Sequence, residues 1–362
     1  RLQTPTNASL SHADGKGLHR AVAGQPATFI VQAVDAEGID QSLGGDFLKV
    51  DIVSPDGAIV NATVLDLGDG RYTVSYTPII ATAYSISMRL NGEEISSSPG
   101  KVHVLAGSPS PAHCVAAGPG LTEASAGTRE FFLITPRDSF GNTLPRLEPG
   151  DKFTVSLGHW QRGKVDLWRP VPVHDLLNGT FRAEYSVDVA GVYLIQVQMG
   201  HISIMGSPFQ TVVLPANTEA QASFAHGDGL TTAVVGVPAS FTIVARDAFG
   251  NSRSMCGDNF NVTISGPSRG GGQSHLHGTV SEFVNGTYTV DYTVTTTGLY
   301  YVSVTLGERH IRGSPFRLTA LPSTTHALHS VAFGPQLTQT TAGNFSEFYI
   351  LAKDAYGNEL HT

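Results

Sequence analysis

Three short motifs recur along this chain in one register, and that register constrains the fold more than any other feature. Asp138-Ser139-Phe140-Gly141-Asn142 returns as Asp247-Ala248-Phe249-Gly250-Asn251 and again as Asp354-Ala355-Tyr356-Gly357-Asn358, at intervals of 109 and 107 residues. Gly206-Ser207-Pro208-Phe209 returns 107 residues later as Gly313-Ser314-Pro315-Phe316. Asn178-Gly179-Thr180-Phe181 returns at the same interval as Asn285-Gly286-Thr287-Tyr288. Separate motifs that keep one spacing mark tandem copies of a single domain. A period of about 105 residues can bury a core of its own. An array of this kind is expected to present surfaces and span distance rather than to assemble one catalytic pocket.

Within a period the apolar residues alternate. Phe241, Ile243 and Ala245 share one strand face, as do Phe260, Val262 and Ile264, and then Tyr288, Val290 and Tyr292. Period-two alternation is the mark of half-buried strands. Asn285-Gly286 supplies a tight hairpin signal between Val280 to Phe283 and the strand of Tyr288, Val290 and Tyr292. About seven strands fit into about 100 residues, with no helical period, which predicts an all-β, immunoglobulin-like β-sandwich repeated as an elongated array. The composition suits that reading: 40 Gly and 20 Pro serve the turns, and only 14% of residues are charged. The expected domains are 5–107, a divergent copy, then 111–215, 219–322, and the start of a fourth at 326–362. Two strands cannot bury a core alone, so the natural protein is expected to continue past Thr362.

In their fixed order the motifs resemble the filamin-type immunoglobulin-like repeat. In the second copy they are Gly118-Pro119-Gly120-Leu121, Ala126-Gly127, Phe131 to Asn142, Asn178 to Tyr185, Gly191-Val192-Tyr193 and Gly206 to Phe209. In the third they are Gly227-Asp228-Gly229-Leu230, Phe241 to Asn251, Asn285 to Tyr292, Gly298-Leu299-Tyr300 and Gly313 to Phe316. The resemblance implies that a partner strand can add to the sheet beside the third strand, here Lys152 to Leu157 and Asn259 to Ser265. A fold of this kind does not by itself set a function.

Six Asn-x-Ser/Thr sequons occur, at Asn7, Asn61, Asn178, Asn261, Asn285 and Asn344. Chance would supply roughly two. Asn178 and Asn285 also serve Asn-Gly turns, whereas Asn61, Asn261 and Asn344 carry no such turn requirement. Occupied sequons would place the chain in the secretory route and outside the cell. A glycan on Asn261 would shut the third-strand edge of its repeat. The two cysteines, Cys114 and Cys256, stand at non-equivalent places and are expected to remain unpaired.

Binding chemistry concentrates between Gly158 and Leu177, which holds both Trp residues, Trp160 and Trp168, with Arg162 and Arg169 nearby. Trp and Arg are enriched at the energetic centres of interfaces. The segment is expected to be an exposed loop, as is the Gly-rich tract from Gly270 to His277 with His275 and His277. No catalytic constellation, cofactor site or metal site is expected, and a net charge of −8 without a basic run argues against nucleic acid. Two functions remain open. One is an extracellular adhesion ectodomain, similar to the gamete-attachment proteins of plants and green algae. It would bind a protein on an opposing cell surface, or a like chain, with a membrane anchor outside this segment. The other is an intracellular, filamin-like scaffold or actin cross-linking rod.

Overall fold

The computed structural model describes residues 4–361; Thr362, the last residue of the expected fourth copy, lies outside them. The chain divides into two compact units. One is Arg1–Thr122, Glu130–Tyr185 and Val192–Thr211; the other is Glu123–Arg129, Ser186–Gly191 and Val212–Thr362. Both are built of strands, and the helices among the described residues are one-turn 3-10 segments.

In the first unit, repeat one forms two sheets. A four-stranded sheet runs in the order His12–Asp14, Ala27–Gln32, Arg71–Tyr76, Ala62–Asp66. A six-stranded sheet runs Arg20–Val22, Gly100–Leu105, Ala83–Leu90, Leu48–Val53, Ile59–Val60, with Glu93–Glu94 flanking Ala83–Leu90. Alternate residues turn inward: Phe29, Val31, Tyr72 and Val74 from one sheet meet Ile52, Ile86, Met88 and Val102 from the other. Each such side chain contributes about 1.5–3 kcal/mol by leaving water. From repeat two the same unit holds the sheet Val115–Ala117, Glu130–Thr135, Phe181–Tyr185, Val173–Asp175, and the pair formed by Gly191–Met199, from Val192 onward, and Phe153–Gln161 with Lys164–Val171 outside it. In the second unit, repeat three repeats the pattern. Phe224–His226, Ala239–Val244, Thr287–Tyr292 and Thr279–Glu282 form one sheet. Thr232–Val234, Phe316–Leu321, Gly298–Leu306, Phe260–Pro267 and Gln273–His277 form the other, with Arg309–His310 on Gly298–Leu306. Val331–Phe333 pairs with Tyr349–Leu351 at the start of the fourth copy.

Each repeat has more strands than the seven expected, because short return strands such as Ile59–Val60 and Glu93–Glu94 are added and because its first strand changes sheets. After His12–Asp14 a 3-10 turn, Lys16–Leu18, carries the chain across to Arg20–Val22, which pairs parallel with Gly100–Leu105. The Gly-x-Gly-Leu motif makes this turn. Gly15 holds φ +135°, and a Cβ on Gly17 would stand 2.6 Å from the Thr28 carbonyl oxygen. Tyr76 closes the crossing by donating its hydroxyl to the Gly17 carbonyl; Tyr185 and Tyr292 do the same to Gly120 and Gly229. Burial pushes the phenols of Tyr76 and Tyr292 up to about 12. The serine of Gly-Ser-Pro-Phe has a local task as well: Ser207 and Ser314 Oγ accept the Val197 and Val304 N–H, at 2.8 and 2.9 Å.

The Asp-x-Phe-Gly-Asn loop does more than turn the chain, the role that its composition suggests. It joins each repeat to the one before it. Asn142 donates to the Ile79 carbonyl at 2.8 Å and accepts the Ala81 N–H at 2.9 Å, while Asp138 accepts the Gly107 N–H at 2.8 Å. Asn251 makes the equivalent bonds to Asp188 and Ala190, and Asp247 to Ala216. Asn358 bonds to Thr295 and Thr297, and Asp354 to Ser323. The aromatic ring of each loop covers a glycine of the preceding repeat: a Cβ on Gly24 would lie 2.2 Å from Phe140 Cε2, and one on Gly127 2.2 Å from Phe249 Cζ. Tyr356 covers Gly236 in the same way. The Ala-Gly and Asp-x-Phe-Gly-Asn motifs are therefore two halves of one joint. Repeat one, with Asp35-Ala36-Glu37-Gly38-Ile39, has neither the ring nor the Asn.

Burial opposes ionisation of Asp138 and Asp354. Hydrogen bonds from the paired Asn side chains and from backbone N–H groups outweigh it and hold both carboxyls below the usual carboxylate range.

Candidate interaction surface

The segment expected to be an exposed loop around the two Trp residues is a β-hairpin. Phe153–Gln161 turns through Arg162 and Gly163, at φ 51° and 81°, into Lys164–Val171. Two successive residues with positive φ suit the twist of a two-residue hairpin, and Gly163 meets that demand without strain. Phe153, Val155 and Leu157 point into the core, so Thr154, Ser156, Gly158 and Trp160 line the outer face. Trp168 lies opposite Gly158, and Val165 opposite Trp160, with a register shift between the two pairs. A Cβ on Gly158 would meet Val165 Cγ1 at 2.2 Å and the Trp168 ring at 3.2 Å. Glycine is what lets the indole and the valine settle against the sheet here.

On the neighbouring strand Leu194 stands opposite Gly158 and is partly buried. Leu194, Trp168, Val165 and Trp160 thus form an apolar platform on the outer face, with Trp160 41% and Trp168 39% exposed. On the inward side of Phe153–Gln161 the His159 ring stacks on the buried Tyr193, centroids 4.5 Å apart. The structure does not gather all four predicted binding residues. Arg162 is at the hairpin tip, and Arg169 pairs with the core residue Leu157, which turns it to the opposite face from the platform.

The third strands are covered over only part of the stretches expected as partner edges, Lys152 to Leu157 and Asn259 to Ser265. Lys164–Val171 pairs with the first from Val155 to Gln161, and Gln273–His277 pairs with the second from Thr263 to Pro267. The chain's own next strand takes the place foreseen for a partner from Val155 and from Thr263 onward, and leaves Lys152 to Thr154 and Asn259 to Val262 without a strand partner on that side among the described residues. The same finding corrects the Gly270 to His277 tract: His275 and His277 lie on a strand, and Ser265 Oγ and His275 Nδ1 are 2.9 Å apart. Repeat one leaves the corresponding stretch open by one residue more than repeat three, since Ile59–Val60 pairs only with Ile52 and Val53. Leu48–Asp51 therefore has no strand partner on that side among the described residues.

Asn61, Asn178, Asn261, Asn285 and Asn344 are exposed and Asn7 is partly buried. Asn261 stands on the outer face of repeat three at the place Thr154 holds in repeat two, each paired to the neighbouring strand in equivalent register. Asn285 takes φ 49° in its turn, but in repeat two the positive φ, 59°, falls on Leu177 and not on Asn178. The Asn178 side chain instead accepts the Thr180 N–H and hydroxyl. Cys114 and Cys256 are free thiols, the first buried and the second partly so. Among the described residues no three His, Cys, Asp or Glu side chains gather as a metal site, and no helix is long and apolar enough to cross a membrane.

Comparison with known proteins agrees with this construction. The family model for the Filamin/ABP280 repeat matches residues 5–101, 108–210 and 217–317. Filamin-C of Rattus norvegicus is 28% identical over 317 residues, 88% of this chain and 10% of its own length. The E3 ubiquitin-protein ligase TRIM71 of Mus musculus is 37% identical over 130 residues, 36% of this chain and 15% of its own. The chain thus spans about a tenth to a seventh of the curated relatives it matches. Among solved structures the Escherichia coli adhesin FdeC superposes with a TM-score of 0.55 at 19% identity, covering 88% of this chain and 99% of that one, a likeness of fold. The chain belongs to the Filamin/ABP280 repeat family.

Proposed function

We propose that this chain is part of an extracellular adhesion ectodomain, and that repeat two carries its contact surface for a protein on an opposing cell. One observation carries the reading. The outer sheet face of repeat two bears two half-exposed Trp rings, whereas the same face bears Lys49, Asp51 and Arg89 in repeat one, and Thr263, Ser265 and Ser303 with the single exposed ring of Tyr301 in repeat three. Trp anchors ringed by polar surface are the usual energetic centre of a protein interface. The six sequons support passage through the secretory route, and the platform carries none of them. Within this class, gamete attachment before fusion is the specific role, by the resemblance to the attachment proteins of plants and green algae. The test is a cell-binding assay with the purified chain and its Trp160→Ala/Trp168→Ala variant. Unchanged attachment by the folded variant would remove the proposal.

A second reading has its own support. The unpaired stretch Leu48–Asp51 of repeat one offers a sheet edge to which a partner strand can add, the mode expected of an intracellular scaffold. Glycosidase treatment of the protein from its own cell separates the two. A fall in mass supports the extracellular site, and no change favours the scaffold.

A further inference from the structure

We infer that a glycan on Asn285 packs its first sugar against the ring of Phe283 and makes that hairpin a glycan-stabilised element of repeat three. The inference rests on the extracellular reading and adds a structural role for one sequon. Phe283 is 70% exposed, in a chain whose other repeats place an aliphatic residue there: Leu176 in repeat two and Leu67 in repeat one. Its N–H donates to the Thr287 carbonyl at 3.0 Å, which makes Phe283 and Thr287 the last cross-strand pair before the turn. Tyr288 and Val290 are buried on the inner face, so Thr287, and Phe283 opposite it, belong to the outer face. Between them the chain turns through Asn285 and Gly286, at φ 49° and 70°, closed by the Thr287 N–H to the Val284 carbonyl at 2.9 Å.

Phe283, Asn285 and Thr287 thus stand at steps of two around one tight turn, and Asn285-Gly286-Thr287 is itself the sequon. An N-linked sugar begins at the Asn amide and presents an apolar C–H face. An aromatic ring two residues upstream, fixed across from the sequon Thr, is the nearest large apolar surface to receive it. The ring face, electron-rich, attracts polarised C–H groups. Stacking would also cover a side chain that is otherwise left to water. Repeat two is the internal control, with the same Asn-Gly-Thr triplet, Leu176 in place of the ring, and a different backbone turn.

The experiment uses the whole chain secreted from a eukaryotic host, with intact Phe283 or Phe283→Leu, each trimmed to a single N-acetylglucosamine or fully deglycosylated. Peptide mapping verifies occupancy of Asn285 in both. Full removal is expected to lower the melting transition of repeat three by about 4 °C in the parent chain and by less than about 1 °C in Phe283→Leu. The N-acetyl methyl signal of the sugar on Asn285 should lie upfield only when Phe283 is present. Equal losses in the two chains, or an unshifted methyl signal, would overturn the stacking. In protein from its own cell, an unmodified Asn285 beside other occupied sequons would overturn the role proposed here, whereas sugar on none of the six would overturn the extracellular reading instead.

Discussion

Repeats two and three present the same sheet face with opposite chemistry. In both, the third strand lies between a partner strand and a hairpin return, and its outward residues fall at equivalent places. Repeat two has Thr154, Ser156, Gly158 and Trp160, backed by Trp168, Val165 and Leu194. Repeat three has Asn261, Thr263 and Ser265, backed by His275, His277, Tyr301 and Ser303. The backbone pairing is shared as far as Gly158 and Ser265, and over that stretch the difference is one of side chains; beyond it the register shifts in repeat two and not in repeat three. A sandwich keeps its inner face for stability and leaves its outer face free to diverge, and divergence of that face is where binding can be built.

The comparison can be broken in a graded way. The largest effect is expected from moving the repeat-three feature onto repeat two. Thr154→Asn completes a sequon with Ser156 on the outer face. Secreted from a glycosylating host, this variant should lose cell attachment entirely, and made without sugar it should attach as the parent does. Trp168→Ala comes next, with about 2 kcal/mol, or roughly thirtyfold, lost in attachment and little change in melting. Titration of the chain onto partner cells would read it. Gly158→Ser should cost less, about tenfold, because its Cβ collides with Val165 and lifts Trp168 off the sheet without touching the core. Tryptophan fluorescence should move red in the same variant. Ser265→Gly in repeat three should leave attachment unchanged, which ties the loss to the ring and not to the strand.

The smallest effect concerns acid. The folded carboxyls of Asp138 and Asp354 ionise below the usual value, so their contribution is complete above about pH 4 and fades as pH falls through the folded value. Hydrogen exchange at the Gly107 and Ser323 amides should therefore rise below about pH 4 in the parent chain. Asp138→Asn should remove the pH dependence at Gly107 alone.

Much of the fold was legible in the sequence because period-two alternation and Asn-Gly turns report local geometry. Phe241 with Ile243, or Tyr288 with Val290, point inward for reasons visible within six residues. The hairpin around the Trp pair was less legible. Phe153, Val155 and Leu157 alternate plainly, but Gly158, His159 and Trp160 break the apolar pattern, and Arg162-Gly163 is a weaker turn signal than Asn-Gly. Carrying the alternation three residues past Leu157 would have put Trp160 outside, and Arg162-Gly163 would then have closed the hairpin. Partial covering of the third-strand edges was hidden for a different reason: return strands such as Gln273–His277 face solvent and lack an apolar rhythm. The joints were hidden because a motif's spacing shows that it recurs, not that its partners lie in the preceding repeat.

Those joints have a consequence for how such a chain can change length. Every repeat that carries both halves has a plug at one end, the ring and the Asn, and a socket at the other, the glycine and the loop carbonyl. A copied repeat brings a plug that fits the socket before it and a socket that fits the plug after it. Head-to-tail contacts of this type are open-ended, so gene duplication could add or remove a unit and leave every remaining seam chemically complete.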